Sequence, residues 1–184
     1  MRALTLVLAV ALLAGCATSE RFLWEEYTSV GITSIGAGQY RRAEQFLNRA
    51  LVKAEQLGPR EQGISLNGLG ELYRRQSRNE DAERMFERAL KVKEAGLGPD
   101  HLDVATTLTN LGLVYVAEGR DREAAPLLER ALAIQETKLS AKNPAIGRTL
   151  AALAEAYRHL GRDQDAVPLE ERARAFRELG GADR

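Results

Sequence analysis

From about residue 24 to residue 179 the apolar positions of the chain recur at spacings of three and four. Leu66, Leu69, Gly70 and Tyr73 form one such stripe, and Ala82, Met85, Phe86, Ala89 and Leu90 form the next. That period belongs to an amphipathic α-helix, with one face turned to a core and the other to water. Between the two stripes the chain places Gly or Ser, which permit a tight turn. Small residues in the stripes let two helices approach, and the large ones fill the space between their turns. The pattern predicts helical hairpins and an all-α fold.

The hairpin repeats. Leu69, Leu111 and Leu153 are 42 residues apart, and so are Tyr73, Tyr115 and Tyr157. Ala82, Ala124 and Ala166 keep the same interval, as do Ala89, Ala131 and Ala173, and Ser77 aligns with Gly119 and Gly161. An earlier copy lies 39 residues upstream, where Gly31, Gly38, Ala43, Leu47 and Ala50 match Gly70, Ser77, Ala82, Phe86 and Ala89. Four hairpins are therefore expected, at about 24–56, 61–96, 102–139 and 144–179. A single hairpin cannot bury its own stripe, so neighbours must supply the core. The end hairpins depart from the pattern. Ser34 stands at the tyrosine position, and Glu170 and Arg174 replace the Phe86 and Leu90 types. The last helix should thus act as a polar cap, although Leu169, Phe176 and Leu179 keep its edge apolar enough to meet a partner or a second copy.

The spacing Leu-Gly-x-x-Tyr, then Ala, then Phe or Leu, then Ala, resembles the tetratricopeptide repeat. Leu69-Gly70-Glu71-Leu72-Tyr73 and Leu111-Gly112-Leu113-Val114-Tyr115 carry it best. The 42-residue period, with residues 97–112 around Gly98-Pro99-Asp100-His101, is similar to the repeats of kinesin light chain and its bacterial relatives. The resemblance covers about residues 26–179. It implies a right-handed α-solenoid of about four hairpins, with a domain over residues 24–181 and a concave inner face lined by the first helix of each pair.

A second pattern precedes the repeats. Arg2 is followed by an uncharged, mostly apolar run from Ala3 to Leu13. Spanning a bilayer takes about 20 such residues, so the run matches the core of an export signal instead. Leu13-Ala14-Gly15-Cys16 resembles a bacterial lipobox. The resemblance implies that residues 1–15 are removed and that Cys16 is lipidated, with residues 16–23 as a short tether. Two or more acyl chains give stable anchoring, at about 0.8 kcal/mol per buried CH₂. Ala17, where an inner-membrane lipoprotein tends to carry aspartate, resembles the outer-membrane class. The expected location is the periplasmic face of an outer membrane.

Composition narrows the function. The formal net charge is zero, and no basic patch marks a nucleic-acid partner. The chain has one cysteine, which makes no internal disulfide. No nucleophile–base set, phosphate loop or metal-spaced cluster occurs around His101 and His159, so neither an enzyme nor a cofactor is expected. His101 reads as a turn residue, and Asp100 and Asp103 as carboxylates favouring a helix start.

The resemblance places Thr28, Ile32 and Ile35 on the groove, followed by Asn67, Glu71, Arg74 and Arg75. Thr109, Asn110, Leu113 and Val116 come next, and then Arg148, Glu155, Arg158 and His159. These side chains either solvate an exposed helix face or receive an extended or helical segment with acidic and apolar groups. The expected function is a non-catalytic scaffold binding proteins of the cell envelope. Such scaffolds assist pilus or secretin assembly, outer-membrane-protein insertion or cell-wall machinery. The alternative is an accessory subunit holding a small ligand or wall fragment.

Overall fold

A computed structural model describes the backbone of residues 2–141 and 143–181 and the side chains of residues 19–141 and 143–176. The leader side chains, Cys16 and Leu179 lie outside the described side chains. Among the described residues there are eight helices: α1 (Arg2–Gly36), α2 (Tyr40–Leu57), α3 (Pro59–Arg75), α4 (Asn79–Leu97), α5 (Leu102–Ala117), α6 (Asp121–Lys138), α7 (Pro144–His159) and α8 (Asp163–Gly181). Each helix packs on the next, and α1 touches α3, α3 touches α5, and α5 touches α7. That is the expected all-α solenoid: hairpins in a row, with the first helix of each lining one side. Among the described residues, no helix is long and apolar enough to cross a membrane.

Within a hairpin the approach is set by glycine against a large side chain. A methyl group built on Gly70 would lie 2.6 Å from the Phe86 ring, and one on Gly112 would lie 2.6 Å from Leu128 Cγ. The helices then turn through a left-handed residue: Gly38 (φ 70°), Ser77 (φ 59°), Gly119 (φ 71°) and Gly161 (φ 72°). At the start of α5 Asp103 lies in the first turn, as expected, but it does not supply the cap. The cap is the His101 side chain, whose Nδ1 accepts from Asp103 N–H at 3.0 Å, and Asn143 caps α7 in the same way through Ala145 N–H. The Asp103 carboxylate instead reaches back to Arg60 at 3.0 Å.

Between hairpins, apolar contact dominates. Val104 and Leu108 of α5 pack with Leu90 of α4, and Ile146 and Leu150 of α7 pack with Leu132 of α6. A polar seam runs alongside. Trp24 Nε1 donates to Ser65 Oγ at 2.9 Å, the Asn67 amide lies 3.1 Å from Thr107 Oγ1, and Thr109 and Thr149 hydroxyls are 3.0 Å apart. Ser65, Thr107 and Thr149 are spaced by 42, so the seam repeats with the fold.

Candidate functional site: the concave face of the first three hairpins

Three first helices, α1, α3 and α5, line an open cavity of about 470 Å³. One wall is apolar: Ile32 and Ile35 from α1 and Ile64 from α3. Ile32 is 53% exposed, a large apolar side chain left facing water. The rest of the lining is polar, with Asn67, Glu71 and Arg75 from α3 and Asp103, Thr106 and Asn110 from α5.

Glu71 organises the charge. Its carboxylate accepts from Arg74 Nε at 2.8 Å and from Arg75 Nε at 2.7 Å. Burial pushes this carboxyl up, but the two guanidinium groups outweigh that and hold it below its ordinary range. Arg75 remains 55% exposed at the rim. Beneath the polar wall Lys93 is buried. Its Nζ donates to Asp103 O at 3.1 Å and to Thr107 Oγ1 at 3.0 Å. Burial lowers its pKa to about 8, against the opposing pull of Asp103. Lys93 and Thr107 together hold the Asn67 amide in place.

The residues expected from the sequence do not form one surface. Asn67, Glu71, Arg75 and Asn110 meet at the cavity, with Arg74 beside them through Glu71. Three expectations are corrected. Thr109 is fully buried, its hydroxyl taken up by Ala105 O and Thr149, and Val116 is 6% exposed and belongs to the main core. Leu113 is half-buried against the same core. Thr28 is buried as well. Thr109 faces Thr149 on the next first helix, so its strip of α5 lies in the seam between hairpins and not in the groove.

The fourth hairpin stands apart from this cavity. Glu155 and Arg158 border a smaller one of about 260 Å³ between α7 and α8. Arg158 is clasped by Glu170 at 2.8 and 2.9 Å and by Asp163 at 2.9 Å. His159 Nδ1 lies 3.0 Å from Asp121, and Arg148 is exposed. The basic character expected of Arg74 and Arg158 is therefore already compensated within the chain. The sequence pattern does not mark Ile64, Thr106 or Lys93 as groove residues and places Asp103 only at a helix start. For Lys93 the signal was available: it sits at the register of Ala54 and Gln135, a core position, where a charge is conspicuous. Among the described residues no group of three His, Cys, Asp or Glu side chains is placed to hold a metal ion.

A stack of helical hairpins with an open concave face defines a repeat scaffold. Tetratricopeptide-repeat family profiles match residues 61–137 and 147–179, and the chain belongs to the tetratricopeptide-repeat family. Proteins of this family are typically non-catalytic scaffolds for protein–protein interaction, and the chain carries that architecture. No curated protein matches it. Among solved structures, it is similar to a kinesin light chain protein of Podosopora anserina with nearly identical TPR-like repeats. The identity is 24%, the TM-score 0.63, and the match covers 85% of this chain and 76% of that one. A singly substituted form of that protein matches at 23% identity and TM-score 0.65, covering 86% and 76%. Aspartyl phosphate phosphatase F of Bacillus subtilis matches at 17% identity and TM-score 0.73, covering 90% of this chain and 42% of the other. At these identities the likeness shows the fold alone.

Proposed function

We propose that the chain is a lipid-anchored adaptor of the bacterial cell envelope. Cys16 would be acylated and would hold the solenoid at the periplasmic face of the outer membrane. The groove would then receive a segment of an envelope protein, and the adaptor would assist assembly of a larger complex, such as a pilus or secretin, the outer-membrane-protein insertion machinery or cell-wall enzymes. The carrying observation is the open cavity of about 470 Å³ lined by Ile32 and Ile35 together with Asn67, Asn110 and Arg75. It fits an extended or helical segment that places an apolar side chain on the isoleucines and an acidic group beside Arg75. The amides of Asn67 and Asn110 face the same space.

The test is capture in cells. A photocrosslinking residue at Ile32, in the full chain, should join an envelope protein that mass spectrometry identifies. Charge reversal with Arg75→Glu and Thr106→Glu, in the chain that keeps the probe at position 32, should abolish that product with no change in melting temperature, because both side chains are exposed. An undiminished product from the double variant would overturn the groove assignment. A second reading rests on cavity size: about 470 Å³ lies within the range of small-molecule sites, about 300–1,000 Å³. Under that reading the position 32 probe joins no protein, and the purified chain retains a small cellular component that Arg75→Glu releases.

A further inference from the structure

The two ends of the solenoid are finished differently. In the second to fourth hairpins, Leu66, Leu108 and Leu150 of the first helices are all 2% exposed or less. The preceding hairpin seals this register, as Leu90 does for Leu108. The same register in the first hairpin falls on Tyr27, and the register of Leu69, Leu111 and Leu153 falls on Val30. No hairpin precedes them among the described residues. Leu23, Tyr27 and Val30 are consequently left half-buried on α1, with Phe46 beside them on α2. Tyr27 and Phe46 meet edge to face at 5.9 Å. Arg49 lies over both rings, at 6.0 and 5.6 Å, and Arg42 lies 5.8 Å from the Phe46 ring. At the other end the corresponding surface is polar: Glu170 and Arg174 occupy the registers of Leu128 and Leu132. That contrast disfavours head-to-tail stacking of copies, since charge replaces the Leu128 and Leu132 types in the last hairpin.

We propose that this uncovered face of the first hairpin rests on the phospholipid surface, so that the hairpins stack away from the membrane and the groove opens sideways above it. The proposal rests on the lipid anchor of the proposed function. Seven residues separate Cys16 from Leu23, about 10 Å along a helix and about 25 Å at full extension, so an acylated Cys16 keeps this face close to the bilayer. The chemistry of the face agrees with such a surface. Aromatic rings and aliphatic side chains suit the boundary between headgroups and acyl chains, and arginines at the rim meet phosphates. Glu26, exposed beside the stripe, opposes the arginines, so apolar contact carries the docking and anionic lipid strengthens it modestly. Phe22, 67% exposed and one helical turn nearer to Cys16 than Glu26, adds an aromatic at the anchored end.

The experiment uses the full chain, expressed with its leader and reconstituted into phosphatidylethanolamine–phosphatidylglycerol vesicles with brominated acyl chains. Single tryptophans are added at Phe46→Trp and, at the far end, at Val167→Trp, which is 42% exposed. After subtraction of the Trp24 emission, bromine should quench the tryptophan at 46 at least twofold and leave that at 167 unchanged. Arg42→Glu with Arg49→Glu should reduce the quenching at 46. Equal quenching at the two positions, or none at 46, would overturn the docking face, provided mass spectrometry of the same sample finds acyl groups on Cys16. Absence of those groups would overturn the anchor itself and the docking face with it, so the mass distinguishes the two failures. A chain that is dimeric in detergent and becomes monomeric with Phe46→Glu would assign the face to a second copy and overturn the lipid proposal.

Discussion

At the turn of the second hairpin Ser77 has φ 59°, where the other three hairpins place glycine. A Cβ in this left-handed region crowds the following carbonyl, and Gly does not. Ser77→Gly should therefore stabilise the domain by about 0.5–1 kcal/mol, read as a higher urea midpoint with an unchanged slope. Lys93 poses a different residue-scale problem. It is 1% exposed and donates to a carbonyl and a hydroxyl. Burial lowers its pKa to about 8 from the ordinary 10.5. A base with a depressed native pKa binds fewer protons folded than unfolded between those two values, so stability rises with pH from about 8 to 10.5 and carries the full cost of the buried charge below 8. Lys93→Met should raise stability by about 1–2 kcal/mol at pH 7, and the gain should shrink by pH 10. A gain independent of pH would show that packing, not charge, sets the cost. The homologous Gln135 fills the same register without a charge.

Among the elements, the join between consecutive hairpins uses one motif three times. Arg78, Arg120 and Arg162, each one residue past a left-handed turn residue, lie 4.2, 3.9 and 3.9 Å from the centres of the Tyr73, Tyr115 and Tyr157 rings. Each tyrosine hydroxyl donates to a glutamate of the preceding hairpin: Glu44, Glu83 and Glu129, at 3.0, 2.7 and 2.6 Å. The third glutamate is displaced by one turn because Ala125 stands at the register of Glu44 and Glu83. Arg120 also binds Glu83 through both terminal nitrogens, at 2.8 and 3.0 Å. That guanidinium holds the Glu83 carboxyl below its ordinary range, while burial, with the bond to Glu83, pushes the Tyr115 hydroxyl up. Arg120→Ala should cost about 1 kcal/mol through lost stacking and charge-assisted hydrogen bonds, a fall of about 2–4 °C in Tm for a chain of this size. The arginines were visible in the sequence as a 42-residue recurrence. Their stacking was not, because ring and guanidinium meet only once the turn has folded back.

For the whole molecule, stability is a sum of hairpins and the interfaces between them. The interface of the third and fourth hairpins buries Leu128 and Leu132 with Ile146 and Leu150. Removing residues 144–184 would leave that apolar surface to water, with no polar cap in its place. The shortened chain should self-associate at micromolar concentration, seen as a rise in light-scattering mass, whereas the full chain should not. A shortened chain that stays monomeric would mean that the polar α8 is dispensable as a cap.

The features that the chain alone specifies are local and periodic. The three-and-four spacing specifies helices, the recurring Gly70, Gly112 and their large partners specify hairpins, and the 42-residue interval specifies a stack, because each signal is carried by neighbours along the chain or by copies at a constant offset. The tertiary structure alone decided which side of each first helix is groove and which is seam. Thr109 and Asn110 are adjacent in sequence, yet one is sealed against Thr149 and the other faces the cavity. That choice depends on where the next hairpin packs, since adjacent residues of a helix point about 100° apart. Charge followed the same rule: Arg158 is paired with Glu170, while Arg74 and Arg75 share Glu71, which leaves one positive charge at the rim of the groove.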